Sequence, residues 1–226
     1  MELGTVCGRD VGLPMHFHDQ HQLTFVLAGK RRFFIRNRLV VVTPGTGAWL
    51  PAGVPHASAG ESSGLLCVNA YLPADHYDVP ALLRSVELAW RKDRRLRAAD
   101  LAAVMQDHRL AAASQATPAL ISALRQHVSV AAAADQVGMS REGYSRLFKA
   151  RYGMAPAAYR RVMHLNGARA LLRAGEEIAT AAARAGFADQ SHMGRWFQRI
   201  FGVTPGRYRR GLGRVTNVLD EAFGRS

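Results

Sequence analysis

Disulfide-forming residues are nearly absent. Cys7 and Cys67 are the only cysteines in 226 residues. Two cysteines do not build a disulfide framework, which fits a reducing compartment. Long apolar runs are missing too: no stretch reaches the roughly 18 apolar residues that a membrane-spanning helix needs. Residues 1–12 carry Glu2, Arg9 and Asp10 and lack the apolar centre of a secretory leader. These absences predict a cytoplasmic protein without a membrane partner. Lysine is scarce as well. Lys30, Lys92 and Lys149 are three of 30 basic residues, and the rest are arginine. Arginine's planar fork suits phosphates and guanine edges.

Acid is scarce in one region only. Residues 1–80 hold six basic and six acidic side chains, so the whole net charge of +13 belongs to residues 81–226. Such asymmetry points to a polyanionic partner, and with arginine dominant it points to double-stranded DNA. Hydrophobic residues make up 48% and charged residues 21%, a balance that supports a packed core. The length fits one or two domains.

The chain changes character twice. Residues 23–27, 32–36, 39–43 and 65–72 are short and rich in β-branched or aromatic side chains. Gly29, Pro44-Gly45, Pro51-Ala52-Gly53 and Gly60 punctuate them. This spacing predicts a β-barrel or sandwich over residues 1–74. From Pro80 onward the period becomes helical, with Leu82, Leu83, Val86 and Trp90 on one face. Residues 75–117 are expected to form a helical connector, a candidate dimerisation region. Thr117-Pro118 predicts a helix start, with Thr117 as cap. Residues 118–226 form the third segment. The predicted fold class is α+β, a β-barrel followed by an all-α domain.

An internal repeat organises that all-α domain. Residues 146–161 match residues 195–210 at a constant offset of 49, pairing Arg146 with Arg195, Phe148 with Phe197, Gly153 with Gly202, Pro156 with Pro205 and Tyr159 with Tyr208. Upstream of each lies a small-residue segment, a glycine break (Gly138, Gly186) and a capping residue (Ser140, Asp189). This order predicts two helix-turn-helix units. A linker helix over residues 157–174 would present Val162, Leu165, Ala168, Leu171 and Leu172 on one face. Two recognition helices on a rigid linker can enter successive major grooves about 34 Å apart.

The run from Ile178-Ala179 through Ala185-Gly186-Phe187-Ala188-Asp189-Gln190-Ser191-His192-Met193, Phe197, Phe201-Gly202-Val203-Thr204-Pro205 and Tyr208-Arg209 resembles the signature of AraC/XylS-type transcription regulators. The resemblance spans about residues 118–212. It implies that Arg146 and Arg195 each read a base. Helical spacing puts Tyr144, Leu147, Phe148 and Tyr152 in the core of the first unit, and Met193, Trp196, Phe197 and Phe201 in that of the second. Glu142, Ser145, Ser191 and His192 share the outward, base-reading face with the two arginines. Lys149, Arg161, Arg199 and Arg210 are expected on phosphates.

The N-terminal segment carries a second resemblance. His16-Phe17-His18, then Gln22 and Gly29, followed by Gly45, Pro51, Gly53 and His56, is similar to the two cupin motifs. The resemblance implies that His16, His18, Gln22 and His56 line an effector pocket. The same four would be the ligands of a divalent transition metal (Zn, Ni or Fe), if one is held there. Two positions depart from the motifs: Gln22 replaces the usual Glu, and Gly60 replaces the usual Asn. Strand alternation points His21 away from Gln22 and outside the pocket. Cys67 reads as core; Cys7 reads as core or as a pocket thiol.

The expected function is a sequence-specific DNA-binding transcription regulator that senses a small molecule or metal ion and is not an enzyme. A homodimer is expected, with RNA polymerase as partner if the protein activates. The alternative is a cupin-type metalloenzyme with a basic helical appendage. An enzyme would not need the 49-residue repeat and would be expected to keep Glu at position 22. A nonspecific DNA-packaging protein would not need matched recognition helices.

Overall fold

The computed structural model describes residues 2–9, 11–36, 38–60, 64–74, 76–94, 98–110, 118–127 and 129–211. These form eight strands and nine helices. The strands are β1 (Glu2–Gly8), β2 (Leu13–His16), β3 (Gln20–Gly29), β4 (Arg31–Ile35), β5 (Arg38–Val42), β6 (Gly47–Leu50), β7 (His56–Ala59) and β8 (Leu65–Pro73). They build two antiparallel four-stranded sheets, ordered β1-β8-β3-β6 and β2-β7-β4-β5.

Between the sheets lies an apolar layer of Val26, Phe33, Val42, Leu50, Leu65 and Cys67. Cys67 is fully buried, as its apolar setting predicts, whereas Cys7 is exposed and not core. The outer face of the first sheet is covered as well. Helix α1 (Val79–Asp93) lays Val79, Leu82, Val86 and Trp90 on Leu23, Phe25, Ala70 and Leu72, with Leu101 and Met105 of α2 (Ala98–Asp107) beside them. Strands β3 and β8 are therefore covered on both faces, which is why they read as largely apolar runs. Asp78 caps α1 by accepting from the Ala81 amide at 3.0 Å. Two strands not expected from sequence, β1 and β6, carry Gly in short segments.

The C-terminal helices are α3 (Ala119–Gln126), α4 (Val130–Gln136), α5 (Arg141–Tyr152), α6 (Pro156–Arg173), α7 (Ile178–Arg184), α8 (Gln190–Phe201) and α9 (Pro205–Gly211). The helix-turn-helix pairs are α4–α5 and α7–α8. Ser140 accepts from the Gly143 amide at 3.1 Å and Asp189 from the His192 amide at 2.6 Å, so both expected caps form. Gly138 and Gly186 take φ of +68° and +80° in the turns, a left-handed conformation that glycine adopts without a Cβ clash. Pro118, not Thr117, holds the N-cap position of α3; Thr117 lies outside the described residues. Leu147 is 43% exposed and not core; the second unit buries Ile200, which the expected core did not include.

Phe17 joins the two halves. It belongs to the strand-to-strand segment after β2, yet its ring is fully buried in the helical core and stacks on Tyr159 at 4.2 Å. Asn166 of α6 donates to the Phe17 carbonyl at 3.0 Å. Phe17→Ala is expected to lower the unfolding free energy by about 3–5 kcal/mol, the usual cost of emptying a buried ring site. Urea denaturation checks this; a change under about 1 kcal/mol contradicts the packing described.

Candidate functional site

Three imidazoles converge where the sheets meet the helices. His16 ends β2, His18 follows in the connection to β3, and His56 opens β7, where it is the cross-strand partner of His16. Ring centroids lie 4.5 Å apart for His16–His56, 4.9 Å for His16–His18 and 5.3 Å for His18–His56. One ligand atom from each lies within 4.8 Å of the others, and all three residues are buried. The sequence spacing had brought these three together, with Gln22 as the fourth member.

Local hydrogen bonds fix the rings. His16 Nδ1 meets the Pro14 carbonyl at 2.7 Å, and His56 Nδ1 meets the Val54 carbonyl at 3.0 Å. A carbonyl only accepts, so each Nδ1 carries the proton and each Nε2 keeps a lone pair. His56 Nε2 and His18 Nε2 are buried without a hydrogen-bond partner. Burial, with the nearby His56, pushes the His16 pKa down to about 3. Burial alone dominates for His56, down to about 4, and burial plus His16 and Arg169 hold His18 well below its usual value. Neutral, buried imidazoles with unpartnered nitrogens are the form in which histidine binds a transition metal. The residues present thus fit such an ion. Gln22 is also buried: its amide nitrogen donates to Thr24 Oγ1 at 2.9 Å and to Asn69 Oδ1 at 3.3 Å, leaving its Oε1 unpartnered.

A separate groove of about 1430 Å³ lies between the barrel and the first helix-turn-helix unit. None of His16, His18, Gln22 and His56 lines it. Its walls include Asp19, His21 and Trp49 from the barrel and Arg125, Arg151 and Tyr159 from the helices. His21 does point away from Gln22, as alternation requires. It packs edge-on against Trp49 and accepts from the Ala52 amide at 2.9 Å.

One cluster was not read from sequence. Arg169, on α6, is 5% exposed and donates to His18 Nδ1 at 3.0 Å, to Glu2 at 2.7 Å and to the Tyr208 hydroxyl at 3.1 Å. Tyr208 and Arg173 also donate to Glu2, at 2.8 and 3.1 Å. Burial pushes Glu2 up, but Arg169 beside it prevails and holds the carboxyl below its ordinary range. The available signal was an arginine four residues after Leu165 and three before Leu172, on the helix's buried stripe.

On the recognition helices, Glu142, Arg146 and Lys149 of α5 are exposed, with Ser145 half-buried between them. Ser191, Arg195 and Arg199 of α8 are exposed at the equivalent face, and Arg210 is exposed on α9. Two expected contact residues are engaged inside the fold. His192 is half-buried and its Nε2 accepts from Trp196 Nε1 at 3.2 Å. Arg161 lies over the Trp196 ring at 3.9 Å, with Arg199 near the same ring at 5.3 Å.

The lowered histidine pKa values have a stability consequence. Unfolded histidines titrate near 6.5, whereas His16 and His56 in the fold titrate near 3 and 4. Between those limits the unfolded chain binds more protons, so stability is full above about pH 6.5 and is lost as the pH falls toward 4. The expected slope is about 1.4 kcal/mol per pH unit for each buried histidine. Urea midpoints of chelator-treated protein above and within this window check it; His56→Asn should flatten the slope by about one histidine's share.

Comparison with known proteins agrees with this architecture. A family described as an AraC-like ligand binding domain matches residues 1–137, and one described as a helix-turn-helix domain matches residues 133–211. The bifunctional transcriptional activator/DNA repair enzyme Ada of Escherichia coli is 38% identical over 84 residues, covering 37% of this chain and 24% of that protein. The chain spans about a quarter of that relative's length. The probable transcriptional regulator LumQ of Photobacterium leiognathi is 25% identical over 234 residues, covering 88% of this chain and 93% of that protein. Among solved structures, ToxT from Vibrio cholerae shares the fold, with a TM-score of 0.54, 12% identity and coverage of 94% of this chain and 100% of that one. No helix among the described residues is long and apolar enough to cross a membrane. A barrel bearing the ligand-binding signature, joined to two capped helix-turn-helix units, places this chain in the AraC-like family of transcription regulators.

Proposed function

We propose that the chain reads specific DNA sequences through Arg146 and Arg195, and that a divalent transition metal bound by His16, His18 and His56 governs how those helices are presented. The pairing of two exposed arginines at matched positions of capped helices carries the DNA-reading part. Arginine bonds guanine O6 and N7 with two parallel donors. Lys149, Arg199 and Arg210 supply phosphate contacts. Glu142 favours a cytosine amino group or excludes other bases. Ser145 and Ser191 complete the two reading faces. His192 and Arg161 act through Trp196, holding the helix surface around Arg195.

The metal would link three points of the barrel, the end of β2, the following loop and the start of β7, and so stiffen the segment that carries Phe17. A regulatory role fits better than a cupin-type metalloenzyme. A catalytic ion needs an open coordination position that substrate reaches. Here the Phe201 ring lies 6.0 and 6.3 Å from His18 and His16, the Tyr71 ring 5.0 Å from His18, and Arg169 bonds His18 Nδ1. Glutamine at position 22 also withholds the carboxylate of the cupin motif. The reading includes a homodimer on paired half-sites, a cytoplasmic location, and contact with RNA polymerase where the protein activates.

A second reading is favoured by the groove beside Trp49. Its arginines and aromatic rings suit an amphiphilic organic anion, and a ToxT structure of 14% identity and TM-score 0.55 is described as bound to an unsaturated fatty acid. In that case the histidine cluster is structural.

Selection of binding sites from random DNA by the full chain tests the DNA-reading proposal. Arg146→Ala and Arg195→Ala should each lose preference at one base, by about 1–3 kcal/mol. Arg210→Ala should weaken binding to all sequences alike and reduce the salt slope by about one. Unchanged base preference in both of the first two variants overturns the assignment.

A further inference from the structure

Arg169 is a helix residue of the DNA-binding half, yet it reaches the histidine cluster. Its guanidinium donates to His18 Nδ1, to Glu2 of β1 and to Tyr208 of α9, and it lies over the Tyr71 ring of β8 at 4.1 Å. One side chain thus ties the linker helix and α9 to the barrel. Among the described residues it is the only cation hydrogen-bonded to one of the three imidazoles. Arg31, also near, is turned to the Val11 carbonyl and Ser58.

A guanidinium has donors and no acceptor, so its bond to His18 uses the lone pair of Nδ1. If the ion takes Nδ1, that lone pair is no longer available to Arg169. If the ion takes Nε2, a neutral His18 must carry its proton on Nδ1, and two N–H groups then face each other across 3.0 Å. By either route the hydrogen bond is lost, and a second positive centre enters the cluster beside the guanidinium.

We propose that the Arg169–His18 hydrogen bond and a divalent metal at His16, His18 and His56 exclude each other, so that Arg169 is a built-in competitor whose release uncouples the linker helix from the histidine cluster while Glu2 keeps that helix on the barrel. This rests on the metal reading above. Glu2 keeps its hold on Arg169 through both states: its Oε1 accepts from Arg169, while its Oε2 is fixed by Tyr208 and Arg173. The bond that breaks is therefore the one between the cluster and α6. Coupling of this kind is reciprocal: what lowers metal affinity through Arg169 is what the metal returns as a loosened α6.

The test uses the full chain, stripped with chelator, titrated with Co²⁺ followed by its visible absorption and with Zn²⁺ by competition. Arg169→Met is expected to bind both ions about tenfold or more tightly than wild type, within the usual range of site-to-site coupling. His56→Gln should abolish binding and so locate the ions. In wild type, Co²⁺ should increase amide hydrogen exchange in residues 156–173 and 205–211 while protecting β2 and β7. This second measurement decides the matter if Arg169→Met does not fold. Ion binding of equal strength in wild type and folded Arg169→Met, or ion binding that leaves exchange in α6 unchanged, overturns the competition and leaves the metal site standing. Failure of wild type and Arg169→Met alike to bind either ion defeats the metal reading, and the inference with it.

Discussion

A buried cation has to be paired, and the placement of Arg169 meets that constraint with groups from both halves of the chain. Taking a guanidinium out of water costs several kcal/mol unless its donors are satisfied and an opposite charge is near. Glu2 supplies the charge from the first strand, His18 an acceptor from the barrel loop, and Tyr208 an oxygen from the last described helix. None of these partners lies within 30 residues of Arg169 in the chain. The halves therefore cannot separate without exposing or orphaning a charge. Phe17 adds the apolar counterpart, a barrel residue that completes the core of the helices. The barrel and the helix-turn-helix units share one packed boundary.

The same logic explains the histidines. They are neutral because they are buried and crowded, and they stay usable as ligands because two of them give their Nδ1 protons to carbonyls just two residues upstream. Those short-range bonds come from the local chain, so ring orientation does not depend on the distant helices. Only His18 looks outward, to Arg169. One cluster thus has two members set by the barrel and one shared with the linker helix.

Much of this was legible in the sequence where local physics decides. The doubly buried parts of β3 and β8 announce themselves as mostly apolar runs, Leu23 to Ala28 and Leu65 to Leu72, broken only by Thr24 and Asn69. Ser140 and Asp189 cap helices because their oxygens meet orphan amides three residues on. The resemblance of the His16, His18 and His56 segments to the cupin motifs points to the cluster before any fold is known. What stayed hidden depends on long-range partners. Strands β2 and β7 are short and carry Pro, His and Ser, so it is pairing, of β2 with β7 and of β7 with β4, that makes them strands. Leu147 fits the helical period of a core position, yet it stands 43% exposed. The Glu2–Arg169 pair joins residues 167 positions apart, and no pattern in one chain announces that.

The two repeats look alike in geometry and differ in readiness. Leu147 and Trp196 occupy the same position, 49 residues apart. The indole holds Arg161 and Arg199 against its faces, whereas the exposed leucine holds no such pair. Long arginine side chains give up as much as about 2 kcal/mol of rotamer freedom when fixed on a ligand. Arg199, near the Trp196 ring, has surrendered part of that beforehand; Lys149 of the first unit has no ring beside it among the described contacts. Twin modules derived from one pattern therefore start from different entropic positions, and the second unit loses less disorder when it settles on a phosphate backbone.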